Sequence, residues 1–205
     1  MYIPKDFSMK DNETLMKFME ENSFATIFSQ HNGRPSATQL PLYLDRKTNY
    51  LYGHFAKGNP QWKDLMDQEL LVLFQGPHAY ISPSWYESNQ TVPTWNYVSV
   101  QVKGQAEVIE NEIEIIHSLS TLVSKYEGKD SSYSLDGVDE KTKDGLRKGI
   151  VAFKIKIDSI EGKAKLSQNH SKERQALVIE ELEKQDDDNS QEIASLMKEN
   201  LRDEK

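Results

Sequence analysis

The sequence predicts a mainly β protein with flanking helices, of the α+β class, built on an antiparallel sheet. Three observations predict this fold. Short segments of alternating apolar and polar residues recur along the chain. The pair Asn32-Gly33 is the strongest short hairpin signal. Helical patterns occur at the two ends and in one long connection. We expect six or seven strands, and a sheet of this size with alternating patterning tends to close into a barrel.

The first half of the chain is predicted to hold one helix and then a meander of strands. Apolar residues recur at helical spacing within residues 11–21. Strands follow at residues 23–29, 35–44 and 49–54, then a short helix at residues 62–67 and a strand buried on both faces at residues 70–74. Pro77 and Pro83 confine residues 76–86 to an edge strand or an extended loop.

The second half is predicted to alternate between strands and helices and to end in a helical tail. We expect a strand at 98–109, an amphipathic helix at 111–126 with an apolar face from Ile113 to Tyr126, a helical turn at 139–148 and a strand at 150–160. Ser171 can cap a helix that buries Ala176, Leu177, Ile179 or Leu182, and Asn189 with Glu192 resembles a capping box for a last helix. This pattern predicts a barrel domain at residues 1–168 and a helical, acidic extension at residues 169–205.

Composition and charge narrow the class of protein. The 205 residues carry a formal net charge of -8 and include no cysteine, which excludes disulfides and thiolate metal sites. From residue 170 onward there are 11 acidic and 6 basic residues, so the tail is acidic. The overall charge opposes direct DNA binding, although a local basic patch would permit it. The N-terminus lacks the pattern of a signal peptide and no apolar run has the length of a membrane span, so we expect a cytoplasmic protein without membrane contact.

One turn has the chemistry of an anion site. It comprises residues 54–62, HFAKGNPQW, and follows a predicted strand. Asn59 is a favoured helix cap and Pro60 is favoured at the first helical position, so free backbone N–H groups would lie beside Lys57 and His54. The alternative is an ordinary strand-to-helix connection with a solvated lysine.

Aromatic residues are concentrated between residues 62 and 97. The cluster contains all three tryptophans of the chain and three tyrosines: Trp62, Trp85, Trp95, Tyr80, Tyr86 and Tyr97. They either pack the core and interfaces or bind a flat ligand from loops. A third stretch, residues 163–169, offers two lysines and polar side chains that either contact a ligand or link a strand to a helix. The five histidines lack metal-ligand spacing, and the serines near residue 83 lack a nucleophile elbow, so neither a metal site nor a hydrolase is expected.

Four stretches in this order resemble the PaiB-type FMN-binding family, which is described as a family of negative transcriptional regulators linked to sporulation and protease synthesis. They are residues 54–62, 76–86, 92–97 (VPTWNY) and 165–169 (KLSQN). The resemblance implies a split β-barrel of the flavin-reductase and pyridoxamine-phosphate-oxidase type. It also implies a homodimer with FMN at the subunit interface.

The resemblance also implies site residues. Lys57, with His54 and Asn59, would hold the FMN phosphate. The strand Ser36, Ala37, Thr38 and Gln39 would pass the edge of the isoalloxazine ring. Trp95 and Asn96, from the same or the other subunit, would close the pocket, and Lys165 and Gln168 would contact the cofactor. The run after Asn169 departs from the family pattern, and the tail beyond residue 186 resembles nothing in it.

Two main functions follow from this resemblance. The first is an FMN-binding negative transcriptional regulator that acts on DNA directly or indirectly. The second is an FMN-dependent oxidoreductase that uses a nicotinamide donor, NAD(P)H, for which the sequence offers no general acid beyond His78 or Tyr80. A flavin or haem storage module is a third reading.

Overall fold

The structure is a computed structural model that describes residues 1–88, 90–128 and 130–203. In this part of the chain the strands are β1 Ser8–Met9, β2 Phe24–His31, β3 Arg34–Pro41, β4 Tyr43–Asp45, β5 Tyr50–Ala56, β6 Glu69–Ile81, β7 Thr94–Val108 and β8 Ile150–Lys165. The helices are α1 Asn12–Glu21, α2 Glu112–Glu127, α3 Glu140–Gly149, α4 Lys172–Glu183 and α5 Asp188–Asp203. A 3-10 helix, Pro60–Asp67, follows β5.

The strands form one sheet in the order β3-β2-β6-β7-β8-β5-β4, with β1 paired to β8. The pairs β1–β8, β2–β3, β2–β6, β4–β5 and β5–β8 are antiparallel. The predicted antiparallel α+β fold is therefore confirmed. No helix among the described residues is both long enough and apolar enough to span a bilayer.

The chain divides into two compact units, each assembled from separate stretches of sequence. Unit 1 comprises Met1–Leu15, Gln75–Val100 and Glu161–Lys205, and unit 2 comprises Met16–Phe74 and Gln101–Ile160. The predicted boundary at residue 168 concerns domains rather than these units and stays a prediction.

The core of unit 2 lies between the inward faces of its strands. Leu51, Phe55, Phe153 and Ile155 are fully buried, and the rings of Phe55 and Phe153 lie 5.0 Å apart. In β7, Gly104 permits a close approach of the neighbouring strand, because a Cβ there would meet the Lys156 carbonyl oxygen at 2.1 Å.

Helix α2 of unit 2 starts where the sequence predicts it. The Asn111 side chain accepts hydrogen bonds from the backbone N–H groups of Ile113 and Glu114, which satisfies two donors of the first turn. Leu119 and Leu122 are buried as expected. The predicted apolar face is wrong at its two ends, since Ile113 is 82% exposed and Tyr126 is 55% exposed.

Unit 1 contains the two tail helices. Val178 and Leu182 of α4 and Ile193 and Met197 of α5 are fully buried. Ile179 and Leu182 are buried as predicted, whereas Ala176 is exposed and Leu177 half-buried, because the buried stripe runs through Gln175 and Val178 instead.

The start of α5 differs from the predicted capping box. The Asp187 carboxylate, rather than Asn189, accepts from the backbone N–H of Ser190, at 2.9 Å. The Asn189 side chain accepts instead from the backbone N–H of His78, at 3.2 Å, and so ties the tail to β6. Strand β6 itself runs through Pro77 to Ile81. Pro77 lies beyond the residues 71–73 that pair with β2, as its missing N–H requires of an edge position.

Candidate functional site

The predicted phosphate turn and the predicted ring-edge strand meet at one cleft in unit 2. We call it the β3–β5 cleft. It has a volume of about 350 Å³ and is lined by Thr38, Gln39, Leu40, Pro41, His54, Phe55, Ala56, Asn59, Gly149 and Ile150. The structure thus brings together Thr38, Gln39, His54 and Asn59, four of the residues that the sequence assigned to the cofactor.

Strand β3 presents an unpaired backbone edge at this cleft. It ends the strand order and pairs only with β2 among the described residues. The hairpin turn has positive φ at both Asn32 and Gly33, which is the geometry of a two-residue type I′ turn. In the register that follows, every second residue of β3 turns its N–H and C=O away from β2.

Ala37 and Gln39 occupy two of these outward positions. They offer backbone donors and acceptors to a ligand. Pro35 and Pro41 occupy the flanking outward positions, where a proline leaves no ladder hydrogen bond unmade. The available donors are therefore confined to the middle of the strand. This is the arrangement that a flat heterocycle with alternating donor and acceptor atoms can pair with.

A buried hydrogen-bond network joins β3 to the turn after β5. The Asn59 side-chain amide donates to the Thr38 hydroxyl at 2.9 Å, and that hydroxyl donates to the Gln61 side-chain oxygen at 2.5 Å. Gln61 is 1% exposed, and its amide donates to the Ile27 carbonyl and to the Ser29 hydroxyl. The network holds the two walls of the cleft in one arrangement.

Lys57 lies in the turn between Ala56 and Asn59, which both line the cleft. Its side chain is exposed, and among the described residues the ammonium has no ion-pair or hydrogen-bond partner. Its backbone is held on two sides. The N–H donates to the Gly149 carbonyl at 2.8 Å, and the carbonyl accepts from the Trp62 indole at 3.1 Å. A charged group on a fixed backbone is thus available for an anion.

The expected helix N-terminal donors are fewer than predicted. The helix is a 3-10 helix that starts at Pro60, which has no N–H, and the Asn59 side chain already accepts from the Gln61 N–H at 3.0 Å. Lys57 is therefore the main source of attraction for an anion in this turn.

His54 contributes hydrogen bonding rather than charge. It is half-buried on β5, and burial lowers the pKa of its imidazole below the ordinary value of 6.5. The neutral ring is therefore favoured at pH 7, and it carries one donor and one acceptor nitrogen.

Ser36, Ala37 and Lys57 also belong to unit 2, but they are not lining residues of the cleft. The remaining four predicted site residues lie in unit 1, and three of them are committed to its own structure. Asn96 is fully buried and donates to the Ser167 hydroxyl at 2.9 Å. Both functional ends of the Gln168 side chain bond the local backbone, at Leu166 and Ala164. The Lys165 ammonium donates to the Thr94 hydroxyl and the Trp95 carbonyl, each at 2.6 Å.

Trp95 is the fourth of these residues, and it is 51% exposed. Its ring lies 5.8 Å from that of Tyr80 in an edge-on arrangement and 6.1 Å from that of His78. Trp95, Tyr80 and Trp85 line a second cavity of about 360 Å³ in unit 1. The direct contacts with FMN assigned to Trp95, Asn96, Lys165 and Gln168 stay predictions.

Sequence reasoning did not assign a role to Gln61 or Gly149. The position of Gln61 in the sequence indicated such a role, since a glutamine two residues after the helix cap Asn59 lies close to the predicted anion turn. Gly149 brings the end of α3 to the cleft, and no local pattern marks that contact. No cluster of potential metal ligands occurs among the described residues.

The fold and this cleft define a class of protein. Residues 1–159 match the family described as "Putative FMN-binding domain", and the chain belongs to this family. The resemblance and the cofactor that the sequence predicted, FMN, are therefore confirmed at the level of the family.

A particular relative is then evident. The chain is 42% identical to "Protease synthase and sporulation protein PAI 2" of Bacillus subtilis, with 98% of this chain and 99% of that protein covered. The protein is thus a PaiB-like, flavin-binding protein.

Solved structures share the fold at low identity. The flavocytochrome Anf3 from Azotobacter vinelandii has a TM-score of 0.64 at 19% identity, with 83% of this chain and 75% of that chain covered. An FAD and heme binding protein from Mycobacterium smegmatis has a TM-score of 0.63 at 16% identity, with 82% and 78% covered. These likenesses support the split-barrel fold alone.

The residues of the β3–β5 cleft fit FMN. The Lys57 ammonium, which lies in the turn beside the cleft and has no partner among the described residues, suits a phosphate. The open backbone edge of β3, which reaches the cleft at Gln39, suits the polar edge of a flavin ring. The neutral His54 and the polar network behind the cleft place hydrogen-bonding groups between these two ends.

Proposed function

We propose that this protein binds FMN in the β3–β5 cleft and acts as a negative regulator of transcription, of the type linked to sporulation and protease synthesis. The observation that carries the binding proposal is that the turn containing Lys57 and the open edge of β3 form two walls of one cleft, and that the Lys57 ammonium has no partner among the described residues. The regulatory part is supported by the resemblance and by the name of the Bacillus subtilis relative.

The residues of the cleft have separable tasks in this proposal. Lys57 binds the phosphate, Ala37 and Gln39 orient the ring by backbone hydrogen bonds, and Asn59 holds the turn against Thr38. Bound FMN supplies one- or two-electron redox chemistry. The protein supplies position and hydrogen bonds, and its half-buried His54 can accept or donate a proton at an imidazole nitrogen.

We propose that the protein is a homodimer and that the outer face of β2, β3 and β6 in unit 2 forms the interface. Phe24 and Phe28 are exposed on this face, at 62% and 37%. Phe28 is paired with Ala37 on one side and with Leu71 on the other, so their side chains form a continuous apolar strip. Exposed contiguous apolar area of this kind marks protein interfaces.

We propose that the protein either regulates transcription without contacting DNA itself or contacts DNA only through a local basic patch. The net charge of -8 and the acidic tail oppose attraction to phosphate backbones. A flavin-dependent change in a partner or in the dimer is compatible with this charge.

Visible spectroscopy of the purified protein tests the central claim. A yellow protein whose released ligand has the mass of FMN would support it. A colourless protein that takes up no added FMN would refute it. Binding to a promoter fragment, measured with and without FMN at two salt concentrations, then tests the regulatory part, since direct contact with DNA weakens as salt rises.

The second candidate is an FMN-dependent oxidoreductase with NAD(P)H as donor. One observation favours it: Gln39 and Ala56 at the rim of the cleft are exposed, so a second molecule can approach. Steady consumption of NADPH that requires FMN would support this function. An unchanged NADPH concentration in the presence of FMN and oxygen would exclude the oxidoreductase and favour the role as a transcriptional regulator.

A further inference from the structure

Unit 1 contains a cavity of about 450 Å³ that shares no lining residue with the β3–β5 cleft. We call it the Tyr86 cavity. Its walls are formed by Phe7, Tyr86, residues 90–92, Thr94, the end of β8 with the turn that follows it, and the start of α4. Tyr86, Thr91, Lys165, Ser167, His170 and Arg174 supply its polar groups.

Two hydroxyls in this cavity lack partners. The Tyr86 hydroxyl and the Thr91 hydroxyl are buried and make no hydrogen bond with any described residue. Tyr86 itself is 8% exposed. Burial raises the pKa of Tyr86, and the nearby Ser167 hydroxyl lowers it in part. The Tyr86 and Ser167 hydroxyls do not meet hydrogen-bond geometry, because the Ser167 hydroxyl is bonded to the Asn96 side chain instead. A buried hydroxyl without a partner is costly, so two of them beside one cavity indicate a ligand that accepts hydrogen bonds.

The cavity also has an excess of positive charge. Lys165 donates to Thr94 and to the Trp95 carbonyl, and these two bonds leave one of the three donors of its ammonium for a ligand. Arg174 pairs with a single oxygen of Glu87 through two of its five N–H groups. Glu87 thus balances Arg174, and Lys165 is left without a carboxylate partner among the described residues.

Burial and, to a smaller extent, the positive charge lower the pKa values of two groups in the cavity. Burial lowers the pKa of Lys165, and the nearby Lys163 lowers it further. Burial also lowers the pKa of His170, with further contributions from Arg174 and Lys165 against a smaller opposing one from Glu87. An anion in the cavity would relieve the repulsion among these groups.

Contacts with the aromatic ring of Tyr86 hold this side chain in place, and they do not involve its hydroxyl. The Tyr86 ring lies 5.4 Å from the His170 ring, and the Arg174 guanidinium lies 5.5 Å over it. These contacts involve the ring face, so the hydroxyl is not needed to position the side chain.

We infer that the Tyr86 cavity binds a small oxyanion, a phosphate or a carboxylate, through the hydroxyls of Tyr86 and Thr91 and the cations Lys165 and Arg174. This inference does not rest on the proposed flavin site. It assigns to Lys165 a role at this cavity, where the resemblance had assigned it to FMN.

Thermal unfolding and calorimetric titration of the full chain test the inference with two probes, inorganic phosphate and succinate, against chloride at equal ionic strength. At least one probe should raise the Tm and bind. A rise with phosphate alone identifies a phosphate ligand, and a rise with succinate alone identifies a carboxylate. Responses to both that equal the response to chloride would overturn the inference.

Tyr86→Phe removes the hydroxyl and keeps the ring. It should weaken binding of the effective probe about ten-fold, the cost of one hydrogen bond to a charged group. Without the probe its Tm should equal or exceed that of the wild type, because the hydroxyl makes no hydrogen bond with the described residues. Thr91→Val should act in the same direction and serves as the second variant. Tyr133→Phe, at an exposed tyrosine of unit 2, is the matched control.

Two further comparisons separate this site from the flavin site. In a Lys57→Ala background, which removes the charge proposed for the flavin phosphate, the added Tyr86→Phe change should still weaken probe binding about ten-fold. Tyr86→Phe alone should leave the affinities for FMN and riboflavin unchanged. Undiminished probe binding by Tyr86→Phe and Thr91→Val would overturn the inference. Loss of FMN but not riboflavin binding in Tyr86→Phe would overturn it too, because the cavity would then be the flavin phosphate site.

Discussion

The side-chain amide of Asn59 donates a 2.9 Å hydrogen bond to the hydroxyl of Thr38 and joins the turn after β5 to the edge strand β3. The Thr38 hydroxyl in turn donates to the side-chain oxygen of the buried Gln61, and the backbone N–H of Gln61 donates to the side-chain oxygen of Asn59. The three residues form a closed ring of hydrogen bonds. The width of the proposed flavin cleft therefore depends on side chains that need not touch the flavin.

Replacement of Gln61 should destabilise the protein. Gln61→Leu keeps the volume but removes the three side-chain hydrogen bonds that Gln61 makes with the Ile27 carbonyl and with the hydroxyls of Thr38 and Ser29. We expect a loss of about 2–3 kcal/mol in the free energy of unfolding, measured by urea denaturation. Gln105→Leu, at an exposed position of β7, should change it by less than about 0.5 kcal/mol. Equal losses in both variants would show that the network adds nothing.

Lys57 should discriminate FMN from riboflavin. Lys57→Ala removes the charge proposed to bind the phosphate, so FMN affinity should fall about ten- to a hundred-fold while riboflavin affinity stays the same. Flavin fluorescence titration measures both. Lys63→Ala, an exposed lysine of the following 3-10 helix, is the control and should leave both affinities unchanged. An equal loss for both flavins in Lys57→Ala would show that the phosphate lies elsewhere.

The flavin-free protein should lose stability as the pH falls below 6.5. Burial lowers the pKa of His54, so between the folded pKa and 6.5 the unfolded chain binds more protons than the folded one. The stability contribution is present above pH 6.5 and is lost as the pH falls through the folded pKa.

Urea unfolding across pH 5 to 8, as a rough range for histidine titration, checks this dependence. His54→Gln should flatten the decline but not abolish it, because the pKa of His170 is lowered as well. His117→Gln, on the exposed surface of α2, should leave the decline as it is in the wild type. A decline of the same steepness in His54→Gln would contradict the assignment.

The proposed dimer should depend on Phe28. Phe28→Glu places a charge in the apolar strip of β2, and we expect the dimer to dissociate into monomers, as measured by light scattering after gel filtration. Ile113→Glu is the matched control, because Ile113 is an exposed apolar residue of α2 outside that strip. A dimer that survives Phe28→Glu would place the interface elsewhere, and a wild-type monomer would refute the dimer.

Local patterns were sufficient for most elements of the fold. The hairpin at Asn32-Gly33 forms because both residues tolerate positive φ, and α2 begins at Asn111 because its side chain accepts from the first turn. Both effects act within a few residues. Predictions failed where packing decided the outcome, as at Ile113, which fits the helical period but faces solvent.

The candidate site was predictable in part. The turn that contains Lys57 and the strand that contains Ala37 and Gln39 were named from the sequence. Gln39 lines the β3–β5 cleft, whereas Lys57 and Ala37 are chain neighbours of lining residues, and their contacts with FMN stay predictions. Asn96 was named too, but its amide is bonded to Ser167 within unit 1. No pattern along the chain could show that commitment, because the two residues are 71 positions apart.

The sequence by itself determined the antiparallel fold, its hairpin, the caps at Asn59 and Ser171, and the family to which the chain belongs, because these depend on local spacing and on short motifs. Only the tertiary structure decided that Thr38, Asn59 and Gln61 share one network. It alone also showed that the Tyr86 and Thr91 hydroxyls are buried beside Lys165 and Arg174 and have no hydrogen-bond partner in the part of the chain that the structure describes. Hydrogen-bond satisfaction and charge balance are properties of groups close in space, and those groups come from distant stretches of this chain.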